Sequence, residues 1–324
     1  MTNLPLSDDQ NSTERNQTVA DYWDAHTDAS YLGNSYWLAN PIVAKRFNSM
    51  AVGHRDFSSW VDFCVEYHLA ARQPVNAILT IGCGDGTLDR HLAGLKAAAH
   101  IDGIDIAPGR IDIARRLAEE AGLHDVIKYT VADVETNDFP RREYDAIFFN
   151  SSLHHIENLD AVLSRCAEAL SENGLLFINE YVGPNRFDFS AEEQLAMSTL
   201  FKLLPNRFRR SNFVDDRGQV RTQVVLPHPD EVARVDPSEA IRSQDIIPKV
   251  TDHFAVLEHN VMCGSLMQFM LDGIAGNFRE EDSHGKELLE ILLDIEKLLI
   301  DLDLIGQHFV LLVCQKRKPD SAQA

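Results

Sequence analysis

The feature that most constrains this chain is a short segment in which an apolar strand runs into three closely spaced glycines and then into a helix. Residues 77–88 read Ala-Ile-Leu-Thr-Ile-Gly-Cys-Gly-Asp-Gly-Thr-Leu. The apolar run 77–81 predicts a buried strand. Gly82, Gly84 and Gly86 allow a tight turn and a close approach of the backbone to a ligand, because no Cβ stands in the way. The helix beyond presents free N–H groups to the same place. The segment therefore predicts a ligand-binding turn at the start of an α/β domain.

Two carboxylates follow at the spacing of a nucleoside-binding site. Asp105 ends a second predicted strand, 100–104, about twenty residues after the turn, where a carboxylate can accept both hydroxyl hydrogen bonds of a ribose. A third predicted strand, 127–131, runs into Ala-Asp-Val, and Asp133 there can accept a hydrogen bond from an adenine amino group. These features fit either a nicotinamide dinucleotide or S-adenosylmethionine (SAM).

The spacing of the glycines separates the two cofactors. A dinucleotide fingerprint requires a third glycine, or an alanine, three positions after the second. Counted from Gly84 that position holds Thr87, and counted from Gly86 it holds Asp89. The observed pattern, G-x-G-x-G, therefore disfavours an NAD-dependent oxidoreductase and favours SAM.

Strands and helices alternate through the middle of the chain. Helices are predicted over 86–95, 108–121 and 159–170, and further strands over 144–149 and 175–182. This rhythm predicts a mostly parallel sheet with helices on both faces. Later stretches predict helices over 191–204, 238–250, 266–274 and 287–299, and strands over 254–262 and 308–315.

Proline content and periodicity divide the chain into zones. They are a disordered leader (1–18), a helical N-terminal lid segment (19–75), a SAM-binding Rossmann-like core (76–182), a cap or substrate insertion (183–236), a C-terminal part of the core with a helical insertion (237–318) and a disordered tail (319–324).

The stretch from about 75 to 182 resembles the class I SAM-dependent methyltransferases, and Phe-Phe-Asn-Ser-Ser-Leu-His-His-Ile at 148–156 resembles that family's fourth-strand region. The resemblance implies a seven-stranded Rossmann-like sheet whose last strand is antiparallel, with strands 254–262 and 308–315 in the final two places. It also implies SAM as cofactor: the glycine turn supports its methionine part, Asp105 binds its ribose and Asp133 its adenine. The implied cofactor-binding residues are Gly82, Cys83, Gly84, Gly86, Asp105, Ile106, Asp133, Val134 and Asn150.

Outside the core, the chain resembles a bacterial subgroup of small-molecule methyltransferases. The matching segments are Ala-Asp-Tyr-Trp at 20–23, Glu-Tyr-Val-Gly-Pro at 180–184 and Asp-Pro-Ser-Glu-Ala at 236–240. The resemblance does not identify the substrate. The chain departs from the family at Thr80, where an acidic residue usually orients the SAM amino group. Threonine can hydrogen bond but supplies no charge, so either another group serves or SAM affinity is lower.

Methyl transfer is an in-line displacement that depends mainly on positioning, but a hydroxyl or ammonium acceptor must also lose a proton. His154 and His155 follow the fourth strand and Glu180 ends the fifth, so these are the candidate catalytic residues, with a histidine favoured as the base. The alternative is that the two histidines cap a helix or pack against the cofactor. A sulfur acceptor would need no base.

Aromatic and basic residues outside the core are candidates to hold the acceptor. The candidate acceptor-binding residues are Tyr22, Trp37, Tyr181, Arg207 and Arg242. Trp23 and Tyr36 belong to the same lid segment, although half-buried helix aromatics are a common alternative. The other histidines lack metal-site spacing, so no metal site is predicted.

The balance of charge bears on the partner. Fifty acidic against thirty basic residues give a formal net charge of −20, whereas a nucleic-acid partner needs a concentrated basic face. The one dense basic cluster is Arg207, Arg209 and Arg210, with Arg217 and Arg221 nearby. We therefore expect a small-molecule acceptor. RNA or protein methylation, and a non-catalytic SAM-binding role, remain the alternatives.

Cysteine usage and apolar runs bear on location and assembly. Five separated cysteines without a CxxC pair indicate reduced thiols in a cytoplasmic protein. Residues 1–18 lack an apolar signal-peptide core, and no apolar run is long enough to span a bilayer. The apolar helix 288–299 could pack on the cap or form a homodimer.

Overall fold

The structure is a computed structural model that describes residues 17–24, 35–72, 74–141 and 143–317. Residues 17–24 form helix α1. The predicted leader and tail lie outside the described residues, except for Thr18 and the residue before it, which belong to α1 instead of a disordered leader.

A single seven-stranded sheet forms the centre of the fold, which confirms the predicted architecture. Its order is β3-β2-β1-β4-β5-β7-β6. The strands are β1 (Ala77–Ile81), β2 (His100–Asp105), β3 (Ile127–Val131), β4 (Tyr144–Asn150), β5 (Leu170–Tyr181), β6 (Phe254–Met262) and β7 (Phe309–Lys316). The pairs from β3 to β5 are parallel, and β7 runs antiparallel to β5 and β6. Strand order therefore reverses between β1 and β4, where open α/β sheets bind ligands.

Helices cover both faces of this sheet. They are α2 (Pro41–Ala51), α3 (Trp60–Asp62, continued by a π-helical turn, Phe63–Leu69), α4 (Thr87–Gly94), α5 (Pro108–Glu120), α6 (Leu159–Ala169), α7 (Ala191–Leu203), α8 (Pro229–Val235), α9 (Ile246–His253), α10 (Met267–Met270) and α11 (Ser283–Asp301). Short 3₁₀ turns occur at Trp37–Ala39, Ala70–Arg72, Leu153–His155, Asn185–Phe187, Ser243–Asp245 and Ala275–Asn277.

Side-chain burial and capping explain the core elements. Strand β1 is buried along its whole length, as a central strand with helices on both faces must be. The glycine turn leads into α4, and α5 begins with Pro108, whose fixed φ suits the first helical position. Asn158 caps α6 by accepting from the Ala161 N–H. These local signals place the carboxyl ends of β1, β2, β3 and β4 along one edge.

Two predicted helices are shorter than expected. The predicted helix 238–250 is wrong in its first half, because α9 starts only at Ile246. The Arg186 guanidinium donates to the carbonyl oxygens of Asp236, Pro237 and Glu239. The Asp236 carbonyl also accepts from the Glu239 N–H (3.2 Å), so this segment forms a turn held by Arg186 instead of the start of a helix. The predicted helix 266–274 likewise shrinks to α10.

The long helix α11 packs one face against the core of the fold. Helix α11 packs Leu289, Leu292 and Leu293 into the core and leaves Ile291 and Leu298 exposed. None of the helices in the described part of the chain has the length and apolar content needed to cross a bilayer.

Candidate active site

A cavity of about 560 Å³ opens at the carboxyl ends of β1, β2, β3 and β4. That volume lies within the usual range for small-molecule sites, roughly 300–1,000 Å³. The glycine turn forms its floor, and all of the predicted cofactor-binding residues except Gly86 line it. Its lining also includes Glu135, Ser152, His155 and Ser238.

Gly82 and Gly86 are needed in this turn for two reasons, the backbone conformation and the lack of space for a side chain. Gly82 and Gly86 both adopt a positive φ, of 68° and 75°, which side chains disfavour. A Cβ on Gly82 would collide with the Ser152 side chain, and a Cβ on Gly86 would collide with the Tyr129 hydroxyl. Gly86 therefore lies next to the cavity as a supporting residue that makes room for Tyr129.

Asp105 fixes the shape of the turn from the next strand. Its Oδ2 accepts from the Gly84 N–H (2.8 Å) and its Oδ1 accepts from the Ala107 N–H (2.9 Å). Burial raises the pKa of this carboxyl, while these two backbone hydrogen bonds oppose the shift. Each carboxylate oxygen can accept more than one hydrogen bond, so Asp105 can hold the turn and still receive ribose hydroxyls.

Asp133 and its neighbours form one wall of the cavity. Oδ1 of Asp133 accepts from the Glu135 N–H (2.8 Å) and Oδ2 accepts from the Thr136 hydroxyl (3.0 Å), so the side chain organises its own turn. Val134 supplies an apolar wall, and Asn150 is held at the end of β4 by a hydrogen bond from Asn179 (2.8 Å). This arrangement offers a polar edge beside an apolar surface, as an adenine ring needs.

Thr80 is paired with a buried carboxyl, Asp89, which sequence reasoning had not singled out. The Thr80 hydroxyl, which lines the cavity, donates a hydrogen bond to Oδ1 of Asp89. Asp89 lies on α4, three residues beyond the glycine turn, and is completely buried. Burial raises its pKa to about 7. A carboxyl from α4 therefore contacts Thr80, which lines the cavity, whereas Asp89 itself is not among the lining residues.

Helix α1 and the start of α3 cover the cavity. Val19 and Trp23 line it from α1, and Ser59, Trp60 and Val61 line it from the start of α3. The Asp24 carboxylate accepts from the Gly109 N–H (2.8 Å), and the Arg110 guanidinium lies 5.6 Å from the Trp23 ring centroid. The lid segment therefore contacts the beginning of α5, next to Asp105.

Glu180 anchors the turn that follows β4. Its Oε2 accepts from the backbone N–H groups of Ser152 (2.9 Å) and Leu153 (2.6 Å), and its Oε1 accepts from His154 Nδ1 and from the Tyr181 N–H. Because these donors fully occupy a carboxylate that is only 1% exposed, Glu180 is placed to orient the turn.

His154 lies between two carboxylates and is buried. Its Nδ1 donates to Glu180, and its Nε2 lies 3.4 Å from Oε1 of Glu239. Burial alone would lower the pKa of His154, but the negative charges of Glu180 and Glu239 raise it to about 10. His154 therefore keeps its proton at neutral pH and is a poor base.

His155 is the one predicted catalytic residue that lines the cavity. Its Nδ1 is 2.9 Å from the Ser238 hydroxyl, which donates to Asp236 Oδ1 (2.7 Å). The Trp23 ring packs edge-on against the imidazole at a centroid distance of 5.4 Å. Burial and the adjacent His154 lower the pKa of His155. Ser238 thus accepts from Nδ1 and leaves Nε2 as the basic nitrogen.

The predicted acceptor-binding aromatic residues lie outside the cavity lining. Trp37 is buried in the core against Phe47 and Phe309. The Tyr181 hydroxyl donates to the Pro184 carbonyl oxygen (3.0 Å), and Tyr22 packs edge-on against Trp23.

The predicted acceptor-binding arginines also lie outside this lining. Arg242 forms a two-nitrogen contact with Asp245 and donates to the Glu157 carbonyl (3.1 Å). Arg207 lies over the Phe208 ring, and its guanidinium is 3.6 Å from Asp282. Arg209 and Arg210 donate to backbone carbonyls within the cap, and Arg221 donates to the Asp272 carbonyl, so much of the basic cluster is used internally.

Besides Asp89, the residues at this site that sequence reasoning missed include Trp60, His91, Arg110, Ser238 and Glu239. Glu239 had a signal, because it belongs to the segment Asp-Pro-Ser-Glu-Ala that carried the subgroup resemblance. The cavity is also lined from helices by Trp60, His91 and Arg110. Their place at the site depends on how those helices pack, which the sequence does not show.

Known proteins support the assignment of the core. Residues 78–174 match the family model described as a methyltransferase domain. Aklanonic acid methyltransferase DauC of Streptomyces sp. (strain C5) is 33% identical over 138 residues, which are 41% of this chain and 61% of that protein. Ubiquinone biosynthesis O-methyltransferase of Shewanella halifaxensis (strain HAW-EB4) is 30% identical over 129 residues, 40% of this chain and 52% of that protein. The match thus spans about half to three-fifths of these relatives.

The fold has solved counterparts. Geranyl diphosphate C-methyltransferase from Streptomyces coelicolor A3(2), in complex with Mg²⁺, geranyl-S-thiolodiphosphate and S-adenosyl-L-homocysteine, superposes with a TM-score of 0.54 at 11% identity. The alignment covers 94% of this chain and 99% of that one, which shows a shared fold. Taken with the family match, the glycine turn and the acids that follow β2 and β3, this makes residues 78–174 a class I SAM-dependent methyltransferase domain.

Proposed function

We propose that this protein transfers a methyl group from SAM to an oxygen, nitrogen or sulfur atom of a small molecule. One observation carries the proposal: a single cavity joins the glycine turn and Asp105 to His155. SAM bound along the turn, with its ribose at Asp105 and its adenine at Asp133, would leave the other end of the cavity for the acceptor. The named relatives include an O-methyltransferase, which supports an oxygen acceptor.

His155 would contact the acceptor. It lines the cavity and its Nδ1 is held by Ser238, so Nε2 is the nitrogen left to accept a proton from an acceptor hydroxyl. Methyl transfer then forms the bond from the acceptor atom to the methyl carbon, breaks the sulfonium carbon–sulfur bond and releases S-adenosylhomocysteine. His154 and Glu180 would position this turn without contacting the acceptor.

The internal use of the arginines supports a small acceptor over RNA, because guanidinium groups that bind backbone carbonyls are less available to phosphates. Five free cysteines, four of them buried, fit the expected cytoplasmic location, which we retain as part of the proposal.

Calorimetric titration of the purified chain with SAM, and separately with NAD, tests the cofactor. We expect SAM to bind and Asp105→Ala to weaken it by about 10–100-fold, because hydrogen bonds to a charged group contribute roughly 1.5–3 kcal/mol. Asp125→Ala is the matched control, since that exposed aspartate lies away from the cavity. Equal SAM affinity in the two variants, or binding of NAD in place of SAM, would overturn the assignment.

Transfer of a labelled methyl group from SAM into a panel of phenols, carboxylic acids, amines and thiols tests the acceptor class. A rate that depends on His155 for hydroxyl acceptors but not for thiols would support the proton-accepting role. Equal rates for His155→Gln and the native chain with every hydroxyl acceptor would remove it.

A further inference from the structure

Three donor atoms converge beside the acceptor end of the cavity, where the sequence had predicted no metal site. The imidazoles of His154 and His155 and the Glu239 carboxylate each offer one atom, all within 4.8 Å of one another. The distances are 3.4 Å from His154 Nε2 to Glu239 Oε1 and 4.0 Å from His155 Nε2 to Glu239 Oε2. Ligand atoms around a tetrahedral zinc ion lie roughly 3.3 Å apart, given metal–ligand bonds of about 2.0–2.2 Å. Small side-chain adjustments would therefore complete the geometry.

Both imidazoles are oriented as metal ligands usually are. A metal-binding histidine typically uses one ring nitrogen for the metal and donates from the other to a carboxylate, a carbonyl or another acceptor. His154 Nδ1 donates to Glu180, and His155 Nδ1 is hydrogen bonded to Ser238, behind which lies Asp236. The two Nε2 atoms are thus the ones that face Glu239.

A buried carboxylate oxygen, Oδ2 of Asp236, also lies behind the His155 ring. Asp236 is 2% exposed, and among the described residues none donates a hydrogen bond to its Oδ2. That oxygen lies 3.7 Å from His155 Nδ1. A cation bound at Nε2 would make the imidazole N–H more positive, so this carboxylate would then stabilise the ligand behind it.

We propose that His154, His155 and Glu239 bind a divalent first-row transition metal ion, and that the ion's open positions face the acceptor in the SAM cavity. Two imidazoles and one carboxylate favour ions such as Zn²⁺, Fe²⁺, Co²⁺ or Ni²⁺ over Mg²⁺ or Ca²⁺, which prefer oxygen ligands. The site borders the cavity because His155 and Ser238 line it, and the acceptor is proposed to bind beside His155.

This proposal deepens the proposed function and rests on it for the identity of the reaction. An acceptor hydroxyl coordinated to the ion would lose its proton to water, since coordination lowers the pKa of a bound O–H group. The resulting oxygen anion would attack the methyl carbon of SAM, forming the carbon–oxygen bond while the carbon–sulfur bond breaks. With the ion bound, His155 Nε2 is a ligand, so coordination replaces the imidazole as the means of deprotonation. Binding also displaces the proton that His154 Nε2 holds in the metal-free chain.

Metal binding is tested without SAM or substrate. The full chain, freed of metal with a chelator, is titrated with Co²⁺ alone and then with Zn²⁺ alone, with visible absorption reporting Co²⁺ coordination and calorimetry reporting both. We expect one equivalent of Co²⁺ to bind and Zn²⁺ to displace it. Glu239→Gln should weaken Co²⁺ at least tenfold, and Ser238→Ala, which removes the partner behind His155, should weaken it by about 10–100-fold.

The matched control is His228→Asn. His228 is an exposed histidine beside Asp230 and Glu231, so it shares the residue types but lacks a second imidazole. Its Co²⁺ affinity should equal that of the native chain. Failure of the native chain to bind Co²⁺, or equal binding by native and Glu239→Gln proteins of matched melting temperature, would overturn the metal site.

The SAM titration described above keeps the two proposals separate. SAM binding with no Co²⁺ binding would remove the metal site alone. Co²⁺ binding with no SAM binding would remove the methyltransferase function and leave the metal site standing.

Discussion

The proposed cofactor end of the cavity, at the glycine turn, and the proposed acceptor end, at His155, are built from chain segments at very different separations in sequence. At the cofactor end, Asp105 bonds the N–H groups of Gly84 and Ala107, which are 21 and 2 residues away. At the acceptor end, His155 meets Ser238 across 83 residues. His154 likewise meets Glu239, which comes from the segment between α8 and α9.

This difference explains why one end could be read from the sequence and the other only in part. The cofactor end is contained in three strand–loop units, so a local pattern reports it. The acceptor end depends on how the segment after α8 is folded against the turn after β4, and Arg186 holds that segment through backbone carbonyls. The two ends should therefore respond differently to single substitutions.

The largest effect is expected at the acceptor end, from Glu180→Gln. Four donors point at the Glu180 carboxylate, and an amide offers one acceptor oxygen and an unwanted N–H donor in its place. Breaking such a buried charged network should lower the free energy of unfolding by about 5 kcal/mol.

Urea unfolding measures this change, with Glu172→Gln as the control on the same strand. Glu172 is exposed near the start of β5, so its replacement should change stability by less than about 0.5 kcal/mol. If Glu180→Gln were as stable as the control, the anchoring role given to Glu180 would be wrong.

The next effect is a pH dependence at the cofactor end. Burial raises the folded-state pKa of Asp89 to about 7, whereas the ordinary aspartate value in the unfolded chain is 3.8. A raised folded pKa contributes stability that is fully present below pH 4 and is lost as pH rises towards 7. With about 1.4 kcal/mol for each pKa unit, the loss is on the order of 4 kcal/mol.

Asp89→Asn should flatten this part of the stability curve, because an amide accepts from Thr80 but does not ionise. Unfolding in urea at pH 4, 5.5 and 7 measures it for both proteins, with Asp112→Asn as an exposed control. Parallel curves for native and Asp89→Asn proteins would show that Asp89 does not titrate differently on folding.

The sequence predicted those parts of the fold that depend on local pattern and missed those that depend on contacts between distant residues. The order of strands and helices was confirmed because each core strand carries its own apolar run, bounded by glycines or acids. The helix predicted over 238–250 was wrong in its first half, where Arg186, 50 to 53 residues earlier, donates to carbonyls of Asp236, Pro237 and Glu239 and holds a turn. Local periodicity contains no information about such a contact.

The site residues show the same division. Asp105 and Asp133 lie in the cavity where the motif spacing had put them, and their roles towards SAM stay predictions. Trp37 has the aromatic character expected of a lid, but it packs against Phe309 on the last strand. Sequence alone cannot separate a lid aromatic from a core aromatic, because both have the same composition and differ only in what covers them.

The smallest expected effect separates backbone strain from side-chain collision within the glycine turn. Gly86→Ala places a Cβ against the Tyr129 hydroxyl at a positive φ, whereas Gly122→Ala has a similar φ of 69° and open space around its Cβ. The control should lose about 1 kcal/mol from the left-handed backbone, and Gly86→Ala about 2 kcal/mol together with SAM affinity. Removing the hydroxyl in a Gly86→Ala/Tyr129→Phe double variant should restore part of the difference. Equal losses at Gly86 and Gly122, with no recovery in the double variant, would mean that backbone conformation alone requires glycine at this turn.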